Sequence, residues 1–170
     1  MEPGELAEFE RRLHREVAQE FIDPVVAAVV QDLHYDDEVE VRATILKMKR
    51  PHLNLQAPRQ TVTITFLGGS KQQVVTPYYL SRPPRTKGRP RKTRRKVADR
   101  GLYPVLEVLG IRFRASLALT SEVARLVAVG TIDQAKDSLE RRGISLGRKV
   151  ISRIAKRLAM RGLASPIGTG

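Results

Sequence analysis

The clearest chemistry in the sequence lies near residue 150. Val150, Ile151, Ile154 and Leu158 recur at helical spacing. At 100° per residue, Lys149, Ser152, Arg153 and Lys156 fall on the opposite face, with Arg148 at its margin. No acid interrupts that face. A helix fits the major groove of B-DNA, where a guanidinium can donate to both O6 and N7 of guanine and an ammonium can reach guanine or phosphate. Residues at the start of such a helix usually meet base edges. Arg148, Lys149, Ser152 and Arg153 are therefore expected at the bases, and Lys156 and Arg157 at phosphates. The plainer alternative is a solvated helix of a basic protein, which displays Lys and Arg without a ligand.

A second cluster is Lys87-Gly88-Arg89-Pro90-Arg91-Lys92. Its Gly-Arg-Pro core between basic flanks resembles the AT-hook, an extended peptide that lies in the narrow minor groove of A·T-rich DNA. That groove concentrates negative potential and attracts inserted arginine. The AT-hook core has arginine before its glycine, where this chain has Lys87. A solvated linker or a non-specific phosphate binder explains the same charges.

Catalytic constellations are missing from the sequence. There is no cysteine, which excludes disulfides, thiolate zinc sites and cysteine nucleophiles. The three histidines, His14, His34 and His52, form no pair at metal-ligand spacing. His34-Tyr35-Asp36-Asp37-Glu38 reads as a solvated acidic loop rather than an oxygen-rich ion site. Gly68-Gly69-Ser70 lacks the lysine and helix of a phosphate-binding loop, so it is a hairpin turn. Glu107, Glu122, Asp133, Asp137 and Glu140 read as ordinary helix charges. The expectation is a protein that is not an enzyme and needs no cofactor or metal.

Charge is unevenly spread. Residues 1–40 carry 3 Lys/Arg against 12 Asp/Glu, whereas residues 41–170 carry 28 against 6. The later part suits a polyanion, most often nucleic acid. An anionic membrane is a rival, but no apolar run approaches the ~20 residues of a spanning helix. The acidic start, Met1-Glu2-Pro3-Gly4-Glu5, is unlike the basic end of a signal peptide. A cytoplasmic, nucleoid-associated location is expected.

The elements that must carry these residues predict an α+β chain. Leu6, Phe9, Leu13 and Val17 give a helical stripe, available for dimerisation through the N-terminal helices or for packing on the chain itself. Asp23-Pro24 is expected to interrupt it, with a second helix from Pro24 to Leu33. Residues 36–49 are ambiguous: Val39-Glu40-Val41 alternates like a strand, while Ala43 to Met48 suits a helix. Thr61 to Phe66 and Gln73 to Thr76, joined by Gly68-Gly69-Ser70 and followed by Tyr78-Tyr79, predict a hairpin. Residues 82–96 hold nine Lys/Arg, three Pro and no acid, the composition of a linker. Four helix signals follow. Pro104 starts one that Gly110 stops, and Ser116 caps one reaching Val129. Thr131 with Gln134 forms a capping box for one ending at Arg142, and Ser145 caps the last, to about Met160. The expected division is a helical and hairpin module at 1–81, a basic arm at 82–99, an all-helical helix-turn-helix domain at 100–163, and a tail at 164–170.

Tyr78-Tyr79 after a hairpin, Gly101-Leu102-Tyr103-Pro104-Val105-Leu106, Leu109-Gly110-Ile111 and Ser116-Leu117-Ala118-Leu119 with Glu122-Val123-Ala124 together resemble bacterial insertion-sequence transposases of the Kra-type group or its relatives. The likeness spans about Thr61 to Leu163. It implies binding to transposon ends. Two departures stand out: relatives often carry a cysteine pair after the paired aromatics, and they continue into an RNase H-like domain whose carboxylates hold two metal ions. Here the sequence ends in Ser165-Pro166-Ile167-Gly168-Thr169-Gly170. The resemblance therefore implies a truncated or separately encoded DNA-binding part, with a catalytic transposase subunit as a partner in trans.

The function expected from the sequence is sequence-selective binding of double-stranded DNA. An RNA-associated or ribosome-bound basic protein is the alternative. A third reading makes the acidic N-terminal helices a docking element for a partner or for the basic arm.

Overall fold

The computed structural model describes residues 2–16, 19–50, 52–81 and 101–164. Helices α1 (Pro3–Glu16) and α2 (Gln19–Asp32) lead through a 3-10 turn (Leu33–Tyr35) to α3 (Asp37–Met48). Strands β1 (Leu53–Thr65) and β2 (Lys71–Ser81) form an antiparallel hairpin, and β3 (Gly101–Leu102) pairs on the far side of β2. Then come α4 (Pro104–Val108), α5 (Leu117–Val129), α6 (Ile132–Arg141) and α7 (Arg148–Ala164). The architecture is α+β: seven α-helices and a small antiparallel sheet among the described residues. None of these helices is long and apolar enough to cross a membrane.

Two apolar cores divide the chain. The first gathers Leu6, Ile22, Val26, Val30, Val39 and Ala43 against Val62, Ile64, Phe66 and Val74, and it includes Val105, Leu106, Leu109 and Ile111. The second holds Leu119, Val123, Ala135, Leu139, Ile144, Leu146, Ile151 and Ile154. The boundary between cores therefore lies near residue 112, well past the basic segment. β3 and α4 belong with the hairpin because Tyr78 stacks on Tyr103, ring centroids 4.9 Å apart, and Leu80 pairs with Gly101.

Local sequence explains most boundaries and corrects several expectations. α2 runs through Pro24, its sixth residue, instead of starting there. Proline at that position gives up one i→i−4 hydrogen bond of the helix, and burial of Ile22, Val26 and Val30 along one face outweighs that loss. Residues 37–48 are helical throughout. The Asp36 side chain accepts from the Val39 N–H at 3.1 Å, and Val39 and Ala43 turn inward together. Leu6 is buried and Phe9 and Leu13 pack on the first core, so the α1 stripe faces the chain itself; Val17 lies outside the described residues.

The hairpin is longer than its β-branched runs suggest. Leu53 to Ala57 pair with Tyr78 to Ser81, and Pro58 sits at a register irregularity where no ladder N–H is needed. Around Val75 the open edge of β2 is covered by Gln31. Its amide donates to the Val75 carbonyl at 3.1 Å and accepts from the Val75 N–H at 2.8 Å, taking the place of a neighbouring strand.

Candidate nucleic-acid interface

Helices α5, α6 and α7 pack around the second core. Ser116 caps α5 by accepting from the Leu119 N–H at 3.2 Å. Thr131 and Gln134 cap α6 reciprocally. The α6 exit is a Schellman motif: Gly143, at φ +77°, donates to the Glu140 carbonyl, and Ile144 donates to the Leu139 carbonyl at 2.9 Å. Leu139 and Ile144 are both fully buried, which supplies the hydrophobic contact of that motif. Six residues separate α6 from α7. Ser145 is not the α7 cap, because the helix begins three residues later, with Val150 and Ile151 donating to the Gly147 carbonyl. The extra residues are needed to bury Leu146 beside Ile144.

α7 turns Ile151 and Ile154 wholly inward, with Val150 and Leu158 partly buried beside them. Arg148, Lys149, Arg153, Lys156 and Arg157 are exposed and Ser152 is half-buried. The six residues picked from periodicity thus share one helix, with its cations in solvent. Among the described residues, Lys149, Arg153 and Lys156 have no ion-pair or hydrogen-bond partner. Arg148 lies 3.5 Å from Asp133, both largely exposed, a pairing worth little in water. Arg157 is held more firmly, 3.4 Å from Glu107 and with its guanidinium 5.9 Å from the Phe113 ring centroid. Lys87, Gly88, Arg89, Pro90, Arg91 and Lys92 lie outside the described residues.

Beside α7 lies a feature that sequence reasoning missed. Arg112 and Ala115 exchange backbone hydrogen bonds in both directions, closing a two-residue turn. Its central residues, Phe113 and Arg114, have φ +55° and +57°, a left-handed conformation that glycine or asparagine adopts at lower cost. Phe113 packs on the second core and Arg114 is exposed. Nothing in Arg-Phe-Arg-Ala signals such a turn. From Arg112 to Arg157 the chain has eleven Lys/Arg and four Asp/Glu. Glu122 is already occupied, because Arg125 and then Arg142 bind its carboxylate and hold its pKa down to about 2.

The acidic N-terminal segment is partly spent inside the fold. Glu10 and Asp23 are 1% and 2% exposed. Asp23 accepts from the Gly68 and Ser70 N–H groups at 3.1 and 2.9 Å, and Glu10 accepts from the Leu67 N–H at 2.7 Å and the Ser116 hydroxyl at 3.2 Å. Together they clamp the hairpin turn. His14 Nε2 lies 3.6 Å from Asp23, so donor atoms of Glu10, His14 and Asp23 all fall within 4.8 Å of one another. Sequence spacing did not disclose this trio, although Glu10 and His14 are one helical turn apart. Burial, aided by Asp23, pushes the Glu10 carboxyl up to about 7. His34 to Glu38 form a 3-10 turn and the start of α3 rather than a solvated loop: Asp36 caps α3, Glu38 binds Arg42, and His34 Nδ1 faces the Val30 carbonyl at 2.8 Å.

Compared with protein-family models, curated proteins and solved structures, the chain matches none of them.

Proposed function

We propose that this chain binds double-stranded DNA sequence-selectively, with α6, its connection and α7 acting as a helix-turn-helix whose second helix enters the major groove. The observation that carries the reading is the acid-free exposed face of α7, on which Lys149, Arg153 and Lys156 have no partner among the described residues. Arg148, Lys149, Ser152 and Arg153 meet base edges and Lys156 and Arg157 meet phosphates. The Glu107 and Phe113 contacts fix Arg157 near the turn bearing Arg114, so both cations address the same strand backbone. A six-residue connection is longer than the three or four of the commonest helix-turn-helix, and the burial of Ile144 and Leu146 makes it rigid.

From the resemblance to Kra-type insertion-sequence transposases we infer a DNA target at transposon ends, strand chemistry supplied by a catalytic subunit in trans, and a nucleoid-associated location. Selection from random duplexes at fixed salt tests the reading. An enriched sequence supports it; no enrichment together with tighter binding to structured RNA replaces it with an RNA-associated role.

A further inference from the structure

Helix α3 has two apolar faces. Val39 and Ala43 point into the first core. Val41, Ile45 and Met48, spaced by four and three residues, point into solvent at 58%, 47% and 80% exposure. Single exposed apolar residues are ordinary, but three on one side of one helix make a seam. Tyr35, 80% exposed, stands just before the helix, and Leu55, 50% exposed, lies on the strand that follows. The α1 stripe is consumed internally; this one is not.

Charge along α3 is polarised. Asp37, Glu38 and Glu40 occupy its first turn, and Lys47, Lys49 and Arg50 gather at its other end. Two copies side by side in the same direction would put acid against acid and base against base. Turned antiparallel about an axis near Thr44 and Ile45, they bring each acidic end to the partner's basic end, and the helix dipoles oppose. At 100° per residue, Glu38 and Lys49 flank the seam on the same side, so in that arrangement Lys49 meets the Glu38 carboxylate at the oxygen that Arg42 does not occupy. A partner of different chemistry would have no reason to match this polarity.

We propose that the chain forms a two-fold dimer in which the outer face of α3 packs antiparallel on α3 of a second copy. The 12-residue helix is about 18 Å long. A seam of that length buries well under the ~800 Å² per partner of a standard stable interface, even with Tyr35 and Leu55 at its margins. The dimer is consequently a weak one, with Kd on the order of micromolar.

Sedimentation velocity on the nucleic-acid-free full chain, from about 1 to 200 µM, tests this. The expected result is a concentration-dependent shift from monomer to dimer. Ile45→Glu, or the still more exposed Met48→Lys, should weaken dimerisation at least ten-fold while the circular dichroism spectrum stays unchanged. Glu38→Lys and Lys49→Glu should each weaken it, and combining them should restore it. A monomer throughout the range overturns the proposal. So does a dimer indifferent to both seam variants, which would place the contact elsewhere, as on the exposed Phe21 and Val25 of α2. Loss of dimer in the doubly reversed chain overturns the antiparallel arrangement.

Discussion

Gly69, at the tip of the β1–β2 turn, lies directly against Gly143, at the exit of α6: a β-carbon on Gly69 would stand 2.7 Å from the Gly143 carbonyl oxygen. The two cores therefore meet where a hairpin turn touches the segment leading into α7. The turn is itself gripped by Asp23 and Glu10. Two carboxylates on α1 and α2 thus set where the last connection can sit.

Gly69→Ala tests that contact. The residue has φ +89°, so alanine adds backbone strain to the clash. The variant should lose about 1–3 kcal/mol of stability in urea unfolding. At temperatures where it is still folded, its DNA affinity should fall with the displaced connection. Stability equal to the parent chain would show that the two cores do not press on one another.

Stability should depend on pH through Glu10. Its folded pKa, about 7, lies above its ordinary value of 4.5, so the folded chain holds the proton more tightly than the unfolded one. The contribution is most favourable below pH 4.5 and is lost as pH rises to 7. Glu122 works oppositely, stabilising above 4.5 and losing that effect as pH falls toward 2. Glu10→Gln, followed by thermal unfolding at pH 5 and pH 7.5, should flatten the dependence between those values. A slope identical to that of the parent chain would assign it to another group.

Arg114→Gly separates folding from binding. Relieving a left-handed arginine should raise stability by about 1 kcal/mol. Losing an exposed cation beside α7 should weaken DNA binding while leaving sequence preference intact. If stability rises and affinity is unchanged, Arg114 does not face the duplex.

Replacing Arg148 and Arg153 together with Ala should erase preference among duplex sequences at constant salt, since each good bidentate base contact discriminates by roughly 1–3 kcal/mol. Neutralising about six phosphates would give the parent chain a log–log salt slope near −5. Replacing Lys156 should make that slope shallower and leave preference alone. Preference surviving the double substitution would remove α7 from the groove.

Legibility followed the range of the interactions. The caps at Ser116 and Thr131, the Gly143 stop, the inward Ile151 and Ile154 and the strand alternation at Val62, Ile64 and Phe66 depend on near neighbours, and the residues announce them. The α2 start, the outer half of the hairpin and the inward roles of Glu10 and Asp23 depend on partners tens of residues away. Glu10 meets Leu67 and Ser116, and neither contact has a local signature. The turn at Phe113 and Arg114 is held by Thr65, whose N–H donates to the Arg114 carbonyl at 2.8 Å. Propensity at the turn itself argues for something else.

The pairing of Leu80 with Gly101 sets the described chain on either side of residues 82–100 onto one ladder. A single proteolytic nick in that stretch would consequently not release the C-terminal helices. Val105, Leu106 and Leu109 would stay in one core with Ile64 and Val74, and the two fragments should elute together until a denaturant parts them.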